Sequence, residues 1–256
     1  MEDIKARRIS SDDIAKLSSV YKSVFSGFPW YEERVCSGIF LPDEKERCKV
    51  QYTTHQVPQD YQWPLNEQER TGVVGNANGL EYCVVCRRDL IDFYPNFVNQ
   101  DDLIKEALLK EGFIGYLLED NQIPFGFSWG YKIPVNERTK SVNFPMIAPM
   151  LDLAGVNLES TFYGAELGII EDKQSSGRGL LASAVRLNSA RLDDYTDFVV
   201  RTKNSKVLSI LSRIFSGQKG RLLFIDPEKN APWYTWKFEC FDEKGISNLL
   251  LNLRQE

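Results

Sequence analysis

A single histidine, His55, occurs among the 256 residues. Relays that need an imidazole, such as Ser-His-Asp or Cys-His, are therefore hard to build, and His55 itself reads as a solvated loop residue. Long apolar runs are missing too. No stretch is apolar for long enough to span a bilayer, and the opening Met1-Glu2-Asp3-Ile4-Lys5 lacks the core of a secretory signal. An excess of positive charge is also absent. Thirty-one Lys and Arg stand against 36 Asp and Glu, a net charge of −5, so the overall field offers nothing to a nucleic-acid backbone or an anionic membrane. Neither is expected as a partner. Cysteine is sparse and odd in number, five in all, which argues against a secreted disulfide framework and fits a reducing compartment. The expected location is the cytoplasm. Two phosphate loops are missing as well, since neither G-x-G-x-x-G nor G-x-x-x-x-G-K-[ST] occurs. Gly72, Gly75 and Gly79 lie in a polar stretch with no lysine or helix after them.

What the sequence does contain is enough apolar material for a sizeable core, 43% of residues. It also contains one glycine turn in an informative place. Gln174-Ser175-Ser176-Gly177-Arg178-Gly179 follows the apolar run Tyr163 to Ile170 and precedes the helix-like run Leu180 to Leu192. Leu167, Ile169 and Ile170 have the pattern of a buried strand, whereas Leu180, Leu181, Ala184, Val185, Asn188 and Leu192 recur at helical spacing. Two glycines let a turn approach a ligand with no Cβ in the way. The unbonded amides of the next helix then point at whatever anion sits there, and Arg178 adds a positive charge.

The order strand, Q-x-x-G-x-G, helix resembles motif A of the GNAT acetyltransferase superfamily, in which this turn holds the diphosphate of acetyl-coenzyme A. The resemblance implies an α/β (α+β) fold with a mixed, mostly antiparallel central sheet flanked by helices and splayed at the cofactor cleft. It implies Gln174, Ser175, Ser176, Gly177, Arg178, Gly179 and Leu180 around the diphosphate. Leu167, Gly168 and Ile169 would lie along the pantetheine arm, and Asn204 within hydrogen-bond reach of it. Acetyl-CoA and an amine acceptor are the partners expected from this likeness, and nothing in the sequence fixes the acceptor or the oligomeric state.

The elements along the chain suit that order. Ile4 to Ile9 reads as a strand, and Ser10-Ser11-Asp12-Asp13 supplies N-cap chemistry for a helix to about Phe25. Regular periodicity fails from about Gly27 to Leu80, where Pro29, Pro42, Pro58 and Pro64 interrupt a polar stretch. The whole chain is expected to form one domain, residues 1–256, with an insertion at about 30–86 and a second at about 134–161. Between the two lie a strand-like segment, Tyr82 to Tyr94, a helix from Asn99 or Asp101 to Lys110, and a hairpin of Gly112 to Glu119 with Ile123 to Lys132. A short helix is expected through Met146 to Leu153. After the cradle come a strand Asp197 to Thr202, a helix Asn204 to Phe215, a strand Leu222 to Ile225 and a closing strand Trp233 to Phe241.

Direct acyl transfer needs a deprotonated amine beside the thioester, a proton acceptor, and a backbone amide left unused by sheet pairing to hold the oxyanion. Glu166 is the first candidate base and Tyr163 the second. Glu166 has an equally simple structural reading, as partner to a basic side chain at the strand edge. The family's general acid, a tyrosine seven residues after the asparagine that opens the next helix, has no counterpart here. From Asn204 that position is Leu211, so Ser209, Ser212 or water must donate the proton, or turnover is slow or absent. An acyl-CoA-binding or protein-interaction module on the same scaffold is therefore the alternative.

Four of the five cysteines, Cys36, Cys48, Cys83 and Cys86, fall in the first insertion and its return to the sheet. Four such thiols are a candidate structural zinc site, and ordinary buried thiols on a strand are the other reading. Residues 36–86 hold four Lys and Arg against seven Asp and Glu, which is unlike a nucleic-acid finger. Phe125, Phe127, Trp129 and Tyr131 alternate along one strand and are expected to form one aromatic stripe in the core.

Overall fold

The computed structural model describes residues 4–26, 34–43, 45–48, 74–77, 80–83, 86–92, 94, 99–139, 142–174 and 177–255. In chain order the elements are β1 (Ile4–Arg8), α1 (Ile14–Ser26), β2 (Arg34–Cys36), β3 (Val74–Ala77), β4 (Leu80–Cys83), β5 (Leu90–Asp92), α2 (Gln100–Leu108), β6 (Ile114–Asp120) and β7 (Ile123–Lys132). They continue with α3 (Phe144–Leu153), β8 (Thr161–Ile169), α4 (Arg178–Leu192), β9 (Asp197–Arg201), α5 (Ser205–Ile214), β10 (Arg221–Ile225), β11 (Pro232–Lys237) and α6 (Glu243–Gln255).

The chain forms two compact units, Met1–Val20 with Leu103–Glu256, and Tyr21–Asp102. The insertion expected at 30–86 lies inside the second unit, which is wider than that stretch. The 134–161 stretch lies in the first unit, where it carries α3. His55, Ser175 and Ser176 lie outside the described residues.

The first unit is built on a seven-stranded sheet in the order β1-β6-β7-β8-β9-β11-β10. Every neighbouring pair is antiparallel except β8 with β9. The β6–β7 turn places Asn121 and Gln122 at φ 49° and 67°, the left-handed values that a two-residue hairpin of matching twist requires. On one face, Ala184, Leu187 and Ala190 of α4 and Leu211, Ile214 and Phe215 pack against Phe162, Phe198 and Trp236. On the other, Phe144 of α3 meets the rings of Tyr163 and Trp233 edge-on at 5.2 and 6.4 Å.

Helix α4 buries Leu181, Ala182, Ala184, Leu187 and Ala190, together with the polar Ser183 and Arg186. Its inner face is thus rotated from the one expected, and Leu192 is exposed. Small residues at 182, 184 and 190 let the helix sit close to the sheet, a feature that a search for large apolar side chains passes over. Helix α6, absent from the sequence reading, follows the last strand and contributes Ile246 to the core.

Three register shifts break the simple alternation, one of them at Leu223 in β10 and the other two beside the centre of the sheet. Leu118 pairs with Gly126 and Glu119 with Pro124, so Phe125 is an extra residue in β7. Its ring joins Leu118, Ile169, Leu181 and Ala182 on the α4 side. The expected four-ring stripe is therefore three rings, with Phe127 and Trp129 stacked at 4.8 Å and Tyr131 beyond them. In β8, Glu166 pairs with Trp129 and Gly164 with Gly130, so Ala165 is extra.

In the second unit β2 pairs with β5, and β3 with β4, each pair antiparallel. The segment expected as one strand from Tyr82 to Tyr94 is two, broken by a turn in which Arg87 adopts φ 60°. Tyr21 packs against Phe25 at 4.4 Å and edge-on to Tyr94 at 6.0 Å.

At the start of the first unit, Arg7 forms a fork with both carboxylate oxygens of Asp13 at 2.7 and 2.8 Å and reaches Glu119 at 3.1 Å. The Ser10 amide also donates to Asp13, at 2.8 Å, closing the first turn. The Arg7 bonds, opposed by burial and aided by Ser10, bring the Asp13 pKa down to about 2. Because the folded value lies below the unfolded one, this stabilisation is present above about pH 4 and is lost as pH falls through about 2. Arg7 is partly exposed, which screens the pair. Asp13→Asn is expected to lower the unfolding free energy by about 1–2 kcal/mol at pH 7, and by much less at pH 2, in urea titrations. An equal loss at both pH values would contradict the linkage.

Candidate active site

Ladder bonds join β8 to β9 only from Thr161 to Gly164, opposite Asp197 to Val200. Beyond Gly164 the two strands have no pairing, so Ala165 to Ile169 continue beside β7 alone. The pairing ends where the bulge begins. Before Ala165, Phe162 faces α4 and α5, and Tyr163 faces α3. Strict alternation would put Glu166 on the side of Phe162. The extra residue reverses the pattern, so that Leu167 and Ile169 turn to α4, and Glu166 comes to the side of Tyr163.

Glu166 lines a cleft with Trp129, Tyr131, Ala165, Thr139 and the α2 side, which supplies Leu103, Glu106 and Ala107, with Lys110 beyond. Lys110 is paired with Glu106 at 3.3 Å and with Glu137. Burial works against its charge, yet those two carboxylates outweigh it and hold Lys110 above its ordinary pKa. Tyr131 and Tyr163 meet edge-on at 5.7 Å. Burial, then the neighbouring Tyr163 and Glu166, push the Tyr131 phenol up.

Tyr163 is almost fully buried between Tyr131, Phe144 and Trp233. Burial raises its pKa to about 12, against the pull of Arg201 and with help from Glu166 and Asp226. At neutral pH the phenol keeps its proton, so it can donate one and is poorly suited to accept one. Leu211 is buried in the core, as a residue at the tyrosine position without acid chemistry.

At the C-terminal end of β8 a short turn, Glu171–Lys173, leads to Gln174 and Gly177. Gly177 is the N-cap of α4 at φ 80°, ψ 0°, and a Cβ added there would meet nothing within 4 Å among the described residues. The first-turn amides of Arg178, Gly179 and Leu180 follow directly on that glycine. Gly179 packs the helix start against α5, where an added Cβ would lie 3.1 Å from Ile210. The turn is fastened from inside. Gln174 Nε2 donates to the Ile169 carbonyl at 3.1 Å, and Arg178 Nη1 to the Lys173 carbonyl at 3.1 Å. The Arg178 guanidinium is buried 5.4 Å from the Phe125 ring centroid, so its side chain closes the turn from behind. Asn204 caps α5 through its side-chain oxygen, which accepts from the amides of Lys206 at 2.9 Å and Val207 at 3.4 Å.

Arg186, which the sequence reading passed over, holds the bulge. Its Nη1 donates to the Trp129 carbonyl at 2.8 Å and the Glu166 carbonyl at 3.1 Å, from a side chain that is 3% exposed. Its Nε is buried with no hydrogen-bond partner among the described residues. Burial lowers its pKa to about 10, with Glu166 opposing. The sequence signal was an arginine three residues after Ser183 on an otherwise apolar helix face, opposite two small residues, Gly164 and Ala165, in mid-strand.

The four thiols lie together in the second unit. The Sγ atoms of Cys36, Cys48, Cys83 and Cys86 are all within 4.8 Å of one another. The fifth cysteine, Cys240, is a free thiol of the first unit.

No protein-family model matches the sequence, and no curated protein matches it. Among solved structures, an uncharacterized protein from Bacillus halodurans is similar over 98% of this chain and 91% of that chain, at 11% identity and a TM-score of 0.51. An acetyltransferase from Thermus thermophilus is similar over 93% and 99%, at 14% identity and a TM-score of 0.45. The PaiA N-acetyltransferase from Thermoplasma acidophilum, in complex with coenzyme A, is similar over 91% and 98%, at 9% identity and a TM-score of 0.44. The fold of this chain is a mixed, mostly antiparallel sheet flanked by helices, the architecture expected from the sequence, and it is similar in fold to the Bacillus halodurans protein.

Loss of Arg186 leaves two carbonyls without their donor and a cavity behind the bulge. Arg186→Ala is expected to lower the unfolding free energy by about 3 kcal/mol in urea titrations. A change under about 1 kcal/mol would show that the bulge does not depend on it.

Proposed function

We propose that this protein transfers an acetyl group from acetyl-CoA to a primary amine by direct attack, with no covalent enzyme intermediate. One observation carries the reading: β8 parts from β9 at Gly164, and the same strand leads directly to a glycine-led helix start. A strand edge with no neighbouring strand among the described residues accepts an extended, amide-bearing chain, and the helix start accepts an anion one short turn away. Pantetheine and diphosphate are joined in that order in coenzyme A. In this reading the amides of Gly177 to Leu180 hold the diphosphate, with Ser175 and Ser176 alongside, while Leu167, Gly168 and Ile169 pair with the pantetheine arm. Asn204 lies at the start of the neighbouring helix, where its side-chain amide group is not used by the cap.

The chemistry follows from which side each group occupies. A thioester lying along β8 near Ala165 has its carbonyl beside amides released from sheet pairing, which can stabilise the developing oxyanion. Glu166, brought to the cleft side by the bulge, takes the proton of the attacking amine directly or through water. Tyr163, protonated and on the same side of β8 as Glu166, is a candidate to return a proton to the departing thiolate. No cysteine of the four-thiol cluster is assigned a part in this transfer. The buried Leu211 favours a second reading, in which the protein binds acyl-CoA and turns it over slowly or not at all.

Calorimetric titration with acetyl-CoA tests the binding half. Gly177→Glu puts a carboxylate beside the amides and is expected to weaken binding at least about tenfold, through charge repulsion and the strain of a side chain at positive φ. Unchanged affinity would remove the cradle from the account. Free-thiol release with a panel of primary amines tests the transfer half. Glu166→Gln is expected to lower kcat about a hundredfold while leaving the KM for acetyl-CoA nearly unchanged. Binding without thiol release across the panel would select the second reading.

A further inference from the structure

The strongest unexplained cluster is that of Cys36, Cys48, Cys83 and Cys86. It lies in the second unit, and its argument does not rest on the acyl-transfer reading. Cys36 ends β2, Cys83 ends β4, Cys86 sits in the turn that follows, and Cys48 comes from the loop after Phe40. Three of the four are buried, and the core cluster they form contains Leu90 as its one further buried residue. Among the described residues, four thiols and one leucine make up the apolar cluster where these strands meet. Small segments of this kind are usually held by a cross-link or a metal.

The geometry decides between those two. A disulfide needs sulfurs about 2.05 Å apart, and all four cysteines are free thiols. The separations are 3.3 Å for Cys36–Cys86 and 3.7 Å for Cys48–Cys83, with every pair inside 4.8 Å. A tetrahedron of thiolates around an ion at about 2.3 Å has edges of about 3.8 Å, in the middle of that range. The surrounding backbone is shaped for the same arrangement. The Gly38 amide donates to Cys36 Sγ at 3.3 Å, the Cys48 amide to the Gly38 carbonyl at 3.1 Å, and the Arg87 amide to the Cys83 carbonyl at 2.7 Å. An added Cβ at Gly38 would lie 3.1 Å from Cys86 Sγ and 3.2 Å from Cys48 Cβ, so the loop passes the sulfurs at a distance that suits glycine.

We infer that Cys36, Cys48, Cys83 and Cys86 bind one zinc ion as a closed tetrahedral thiolate centre that holds the Tyr21–Asp102 unit together. Four soft anionic ligands favour Zn²⁺ over harder divalent ions. With all four positions filled by protein sulfur, none is left for water or substrate, so the centre is structural. Binding releases the thiol protons, and its free energy becomes folding free energy of the segments it joins.

The test uses the full chain purified without added metal or chelator. Elemental analysis is expected to give one zinc per chain, in Cys240→Ser as in the parent, and none in Cys36→Ser or Cys83→Ser. Because those two variants can fail by misfolding, the parent chain is also stripped with chelator under reducing conditions and titrated with Co²⁺. A thiolate-to-cobalt charge-transfer band in the near ultraviolet and intense tetrahedral d–d bands, saturating at one equivalent and displaced by Zn²⁺, are expected. Weak octahedral bands, iron instead of zinc in the purified chain, or five titratable thiols in an untreated chain that remains folded would each overturn the assignment.

Discussion

Strand β8 serves two masters along its length. From Thr161 to Gly164 it is an interior strand, bonded to β7 on one edge and β9 on the other, and from Ala165 onward it keeps β7 alone. A single extra residue at the change-over reverses which side chains face which way. Both consequences are needed together: the parting exposes backbone donors and acceptors, and the reversal brings Glu166 to the side where Tyr163, Tyr131 and Trp129 already lie. A strand edge that has lost its neighbouring strand carries a desolvation cost of roughly 1–3 kcal/mol for each buried group left unbonded, so the arrangement has to be held by its surroundings. Arg186 holds it from one side, through the carbonyls of Trp129 and Glu166. On the other side β9 is kept in register with β11, where the Thr235 hydroxyl donates to the Phe198 carbonyl at 3.1 Å and Arg201 pairs with Asp226 at 3.0 Å.

The helix start that follows is preorganised in the same manner. Gln174 and Arg178 bond carbonyls of the strand end and the turn, and Lys173 reaches Asp120 at 3.3 Å, so the approach to α4 is fixed from within. In the proposed reading, an anion arriving there would meet amides already oriented, with the ordering cost carried by folding. That is why the inward direction of Arg178 is compatible with a cradle. The positive character offered to a ligand comes from backbone N–H groups at the helix end.

Much of this order was legible in the residues. Ser10 and Asp13 announced the first helix, Asp120-Asn121-Gln122 the hairpin, and Asn204 the cap of α5. The glycine turn between an apolar strand and a helical run marked the end of β8. Two kinds of feature were not legible. Bulges leave almost no trace in a pattern of period two, so Phe125 was placed with the wrong neighbours, and Glu166 reached the cleft by a route that simple alternation forbids. Helix α4 presents small residues and a buried arginine to the sheet, so ranking faces by large apolar side chains found Leu181 and Ala184 but placed the buried face partly rotated. The cysteines were the reverse case. Their spacing left a metal and ordinary buried thiols both open, and only the fold brings residues 35 to 50 positions apart in sequence into one cluster.

The central claim is that the released stretch of β8 and the start of α4 form one continuous binding surface for an acyl-coenzyme A. Amide hydrogen exchange, followed residue by residue with and without acetyl-CoA, addresses it most directly. Protection should appear jointly at Ala165–Ile169 and at Gly177–Leu180, leaving the β1–β6 ladder unchanged. Protection confined to other parts of the chain, or none at saturating ligand, would contradict the account.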